Sequence, residues 1–65
     1  MVTINGKKVS LKKEVSLYSF LENNNYNPKL VVIEVDKNLV KREEYKFFQV
    51  KDNMNIEVFS FIGGG

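Results

Sequence analysis

Val2, Ile4, Val9 and Leu11 recur with period two on either side of Asn5-Gly6, a dipeptide suited to the two-residue turn of a β-hairpin. The pattern predicts an opening hairpin with these four residues facing a core, while Thr3, Ser10 and the lysines face water. After Glu14 the period lengthens. Leu17, Phe20 and Leu21 share one helical face, Ser16 suits the N-cap, and Val15 is placed to pack on Phe20 as a hydrophobic staple. Asn23-Asn24-Asn25 ends that helix, because asparagine accepts the left-handed conformation and Pro28 blocks continuation. The result is about two turns of helix, too few to persist without tertiary packing.

Period two returns from Leu30 to Val35, where Glu34 sets the phase and turns Val31, Ile33 and Val35 inward. Asp36-Lys37-Asn38 reads as a turn into a short strand, Leu39-Val40. The polar stretch from Lys41 to Lys46 is expected to be irregular, with Tyr45, Phe47 and Phe48 close by, and Asp52-Asn53 is a second turn. A last strand is expected over 55–62. Ile56 and Val58 share one of its faces, and Glu57 shares the other with Phe59 and Phe61. If Glu57 is in water, so are the two phenylalanines, which makes them a candidate docking patch. The alternative is a satellite cluster closed by Tyr45 or Phe47.

The order ββαβ(β)β, with a hairpin first and one helix, predicts an α+β domain in which one face of a mixed sheet covers the helix. The last strand then pairs in parallel beside the first. Residues 1–62 form the domain, and 63–65 form a flexible glycine tail.

Composition narrows the chemistry. The 65 residues include no cysteine and no histidine, which removes thiol nucleophiles, imidazole bases and the commonest zinc ligands. Catalysis by this chain alone is not expected, nor a metal or cofactor of its own. The longest aliphatic run, Leu30-Val31-Val32-Ile33, is far below the ~20 apolar residues of a membrane span. No basic segment followed by an apolar one opens the chain, so the expected location is the cytoplasm. Ten basic residues interleave with eight acidic ones for a net charge of +2. Lys7-Lys8 and Lys12-Lys13 suit a solvated hairpin face better than a nucleic-acid surface, so no nucleic-acid partner is expected.

Gly63-Gly64-Gly65 follow directly on the apolar last strand. At an average glycine usage near 7%, three at the final positions arise by chance about 3 times in 10,000, so a functional reason is warranted. A tail without side chains can enter a channel too narrow for any Cβ, and its tip carries an α-carboxylate. That carboxylate is the candidate reactive group.

The opening Val2-Thr3-Ile4-Asn5-Gly6-Lys7, the central Val35-Asp36-Lys37-Asn38-Leu39-Val40-Lys41-Arg42 and the closing Ile56-Glu57-Val58-Phe59-Ser60-Phe61-Ile62-Gly63-Gly64-Gly65 resemble the ubiquitin-like β-grasp fold. Within that fold the chain looks most like ThiS, the sulfur carriers of thiamin biosynthesis. There are two departures: Lys41 stands where proline is frequent, and Asp52-Asn53-Met54 replaces an Asp-Gly-Asp turn. Asn53 can hold the positive φ that glycine would supply. The resemblance implies a carrier whose Gly65 carboxylate is adenylated by an E1-like enzyme, using ATP and Mg²⁺ held by that partner, and is then converted to a thiocarboxylate. A sulfur donor protein and thiazole synthase are the further implied partners. Gly63 and Gly64 become the thread, Phe59, Phe61 and Ile62 the anchors, and Arg42 either a partner contact or an ordinary surface arginine. Other readings of the same ending are a small subunit of molybdopterin synthase and a ubiquitin-like modifier. A structural or RNA-binding module with idle glycines is a further one.

Overall fold

In the computed structural model, which describes residues 1–60, β1 (Val2–Ile4) and β2 (Lys7–Val9) pair antiparallel with Val2 opposite Val9. Asn5 and Gly6 between them have φ of 49° and 81°. Both are left-handed, as a type I′ turn requires. Val2 and Ile4 are buried. Val9 and Leu11 are only partly covered and flank the core, because β2 is the edge of the sheet.

Ser16 caps α1 (Leu17–Asn23), its hydroxyl accepting from the Ser19 N–H at 3.1 Å. Leu17, Phe20 and Leu21 are the buried helical face. Asn24 closes the helix, with its side chain donating to the Phe20 carbonyl at 2.8 Å, and Asn25 takes φ of 68°. The helix therefore stops inside the asparagine run, as its residues dictate.

β4 (Val31–Val35) alternates buried and half-buried positions with Val31, Ile33 and Val35 inward. It turns through Asp36 and Lys37, at φ of 50° and 70°, into β5 (Asn38–Val40). The last strand, β7 (Asn55–Ser60), lies between β1 and β4, parallel to the first and antiparallel to the second. The sheet order is β2-β1-β7-β4-β5. Its inner face and the helix enclose the core, which includes Val2, Leu17, Leu21, Ile33 and Ile56. The expected α+β β-grasp architecture is the one found.

Three local expectations differ. Val15 and Ser16 form β3, which pairs antiparallel with β6 (Gln49–Val50), two elements the periodicity does not reveal. Two-residue strands are too short for alternation to register, and Ser16 also serves the helix cap. Leu30 falls outside β4 and is exposed, because its N–H donates to the Asn27 carbonyl in a turn. The stretch expected to be irregular contains a 3₁₀ turn, Arg42–Glu44, started where the Lys41 N–H donates to Glu44 Oε1 at 3.2 Å. Asn53 has φ of 72°, the value required of it where glycine is absent.

Tyr45 is a core residue, and its hydroxyl donates to the Val31 carbonyl at 3.1 Å. Burial raises its pKa above the ordinary 10.0, opposed by the Arg42 charge and by a backbone hydrogen bond at Ile33. An acid held protonated by the fold stabilises it fully below its unfolded pKa. That stability is lost as pH climbs from about 10 through the raised folded value. Tyr45→Phe should therefore cost about 1 kcal/mol near neutrality and remove this alkaline loss. Chemical denaturation at neutral pH and above pH 10 measures both effects.

A candidate docking face at the end of the last strand

β7 lies between β1 and β4 and leads toward the glycines. At its start, Asp36 and Asn55 exchange two hydrogen bonds: the Asp36 N–H donates to the Asn55 carbonyl at 2.8 Å, and Asp36 Oδ1 accepts from the Asn55 N–H at 3.0 Å. Midway, β1 ends after Ile4 opposite Ile56, and the Asn5 side chain takes over. Asn5 Oδ1 accepts from the Val58 N–H at 2.7 Å, and its Nδ2 donates to the Val58 carbonyl at 3.3 Å. One amide group thus imitates a further strand residue and satisfies the backbone just before Phe59. The sequence hides this role, since the turn already accounts for Asn5-Gly6. Along the other edge β4 pairs with β7 from Val35 opposite Ile56 to Val31 opposite Ser60. The strand is held from both sides, so whatever follows Ser60 starts from a fixed point.

The outward face of β7 is the candidate docking patch. Phe59 is 46% exposed and lies opposite Val32. Leu39, 64% exposed, sits diagonally from Val32 on β5. Neither tyrosine nor phenylalanine from the preceding segment closes over this patch: Tyr45 is in the core, and Phe47 is itself 79% exposed. The outward assignment of Phe59 is correct, and the satellite-cluster alternative is not what forms. Phe61, Ile62 and the three glycines lie outside the described residues.

Glu34 and Glu57 stand directly opposite each other beside the apolar strip, both half-buried. Like charges so placed destabilise a strand pair. A partner bringing a cation to this spot relieves the repulsion, so the face combines an apolar strip with a negative mark. Arg42 is exposed, and one guanidinium nitrogen, Nη2, donates to the Val31 carbonyl at 3.2 Å. Since Val31 is opposite Ser60, this contact holds Arg42 at the end of the sheet from which the chain continues into Phe61. Val32, Leu39 and Arg42 line one groove of about 310 Å³. The structure brings Arg42 and the Phe59 row to the same sheet end, which their distance in sequence does not announce. Tyr18 is half-buried against the core, consistent with a packing role for it as for Tyr45. Among the described residues no group of three or more acidic, histidine or cysteine side chains is placed to hold a metal ion. No helix among them is long and apolar enough to cross a membrane.

Comparison with known proteins covers nearly the whole chain. The profile of the ThiS family matches residues 2–65. The sulfur carrier protein ThiS of Bacillus subtilis (strain 168) is 32% identical over 66 residues, covering 100% of both chains. A crystal structure of a thiamine biosynthesis protein (ThiS) from Geobacter metallireducens superposes with a TM-score of 0.80 at 25% identity, covering 98% of this chain and 97% of that one. A solution structure of a thiamine biosynthesis protein from the same organism gives 0.79 at 27% identity, covering 98% and 86%. With the profile running from the first strand through the glycines and the fold shared throughout, the chain belongs to the ThiS family.

Proposed function

We propose that this protein carries sulfur as a thiocarboxylate on Gly65 and delivers it for thiazole formation in thiamin biosynthesis. Family membership supports its coarser part: a sulfur carrier protein of thiamin biosynthesis, a substrate of other proteins rather than a catalyst. The observation that carries the finer part is the exposed Phe59–Val32–Leu39 strip on the strand that leads into the glycines.

The chemistry divides between carrier and partners. A terminal α-carboxylate has a pKa near 3.5, so at neutral pH it is an anion and a poor electrophile. An E1-like enzyme joins it to the α-phosphorus of ATP, releasing pyrophosphate, and the carboxylate oxygen becomes part of a good leaving group. The outer sulfur of a donor protein's persulfide then attacks the acyl carbon and AMP departs with that oxygen; a thiol cleaves the resulting acyl disulfide, freeing the thiocarboxylate and ending in a disulfide with the donor sulfur. ATP, Mg²⁺ and the groups that stabilise the charge developing on phosphate belong to the activating partner. The carrier supplies reach and grip. Three glycines extend about 10 Å, enough to place Gly65 in a buried site while Phe59, with Phe61, Ile62 and Arg42, stays docked outside. Thiazole synthase is the acceptor of the sulfur, and the exchange takes place in the cytoplasm.

Intact-mass analysis of the protein isolated from its native cell tests this directly. The expected result is a population in which one carboxylate oxygen is replaced by sulfur and whose loss accompanies thiazole formation. A carrier found attached to lysines of other proteins would mean a modifier, and sulfur delivered only to a pterin would mean the molybdopterin pathway.

A further inference from the structure

A second surface lies next to the docking face. Tyr18 on α1, Lys29 in the segment before β4, Arg42 and Glu43 on the 3₁₀ turn, and Tyr45 and Lys46 after it line a cleft of about 310 Å³. We infer that this cleft binds an acidic peptide segment of a partner protein.

Three cations face one carboxylate among these lining residues, and none of the three is neutralised. The ion pair found among the described residues joins the Met1 ammonium to Asp52 at 2.7 Å, elsewhere on the molecule. Two of the three are nevertheless positioned. Lys46 Nζ stands 5.0 Å from the centre of the Tyr18 ring, a cation–π distance that holds the ammonium over the cleft. Arg42 is tethered to the Val31 carbonyl through Nη2, which leaves most of its N–H donors for a ligand. Positive charge free of ion pairs among the described residues and set beside the Tyr18 ring is complementary to carboxylates set around an apolar or aromatic side chain.

The composition of the cleft selects among anions. Glu43 repels a compact phosphate dianion but accepts hydrogen bonds from the backbone N–H groups of a peptide. A nucleic acid needs a basic track along its backbone, whereas these three cations converge on one hollow. Placement also favours a protein partner. Arg42, Glu43 and Tyr45 line this cleft and the Val32–Leu39 groove alike, so a protein seated on the Phe59 face reaches the cleft without a break. That this partner is the activating enzyme rests on the carrier reading; the peptide site itself does not.

Two measurements on the full chain decide it. In the first, isotope-labelled protein is titrated with an acetylated, amidated pentapeptide of Glu and Asp around one Phe. Amide shifts should localise to Tyr18, Lys29, Arg42 and Lys46, saturate at roughly millimolar peptide, weaken with added salt, and vanish in the Lys29→Glu/Lys46→Glu variant. Shifts that are absent, that spread over the hairpin lysines, that inorganic phosphate reproduces or that survive in the variant overturn the inference. In the second, the cognate adenylating enzyme is assayed with the same variant. KM for the carrier should rise roughly tenfold with kcat within about twofold, while Lys7→Glu/Lys8→Glu, an equal charge change on the hairpin, should leave both unchanged. Equal effects of the two reversals would overturn the assignment to the activating enzyme. If the native chain maps the peptide to the cleft but is never adenylated, the carrier reading falls and the peptide site stands.

Discussion

Deleting Gly64 and Gly65 should abolish thiocarboxylate formation and leave the unfolding midpoint where it was. This is the largest functional effect expected of any change to the chain. Among the described residues the fold closes before the glycines: β7 is paired with β4 up to Ser60 and with β1 and the Asn5 side chain up to Val58, and the core cluster reaches Val58. Removing two residues that follow Ile62 takes away none of those contacts. It does remove the carboxylate at the reach the partner site requires, and a shortened tail places the new terminus about 7 Å short of it. A loss of reacting geometry on that scale is not compensated by tighter docking. The measurement pairs thermal unfolding with mass analysis after incubation with the activating enzyme, ATP and a sulfur source. An undiminished thiocarboxylate yield on the shortened chain would sink the carrier reading, and a large drop in unfolding midpoint would mean that the tail packs on its own domain.

Why this much is readable in the sequence, and no more, follows from the range of each interaction. The hairpin, the Ser16 cap, the asparagine stop and the inward phase of β4 are decided by residues within a few positions of one another, so period and turn chemistry suffice. Phe59 is legible for the same reason, since Glu57 two residues earlier fixes the face. The pairing of β3 with β6 joins Val15 to Val50, and nothing local to either dipeptide encodes it. Asn5 has two roles, and the nearer one conceals the other: its backbone makes the turn, while its side chain binds Val58 across the fold. Tyr45 is a packing residue, but the sequence does not say where it packs. A single large residue in a polar stretch has no period, so its place beneath Val31, rather than over Phe59, is set by tertiary packing alone. The cationic cleft is less legible still. Tyr18, Lys29, Arg42 and Lys46 come from three separate segments, and each looks like ordinary solvated charge or packing until the fold assembles them.

Two neighbours on β7 should respond to the same substitution in opposite ways. Val58→Asp puts a carboxylate into the core, where Val58 is a member of the buried cluster and no cation is among its neighbours there. Burying that group unpaired costs several kcal/mol, as much as the ~3–5 kcal/mol that a core of this size supplies, so the variant is largely unfolded at room temperature. Phe59→Asp changes the outward residue on the same strand. It gives up a half-exposed ring against Val32 and adds a third negative charge near Glu57 and Glu34, at a cost of about 1 kcal/mol, so the fold survives. Its effect falls on docking. An aromatic at the centre of a protein interface is worth 2 kcal/mol or more on truncation, which raises KM for the activating enzyme roughly 30-fold, and the new carboxylate adds to the loss if the partner surface there is apolar. Circular dichroism separates the pair first, and adenylation kinetics on the folded variant follow. If Phe59→Asp unfolds the chain, the outer face is covered rather than free. If it stays folded and is adenylated normally, the partner grips the carrier somewhere other than the strand that leads to its tail.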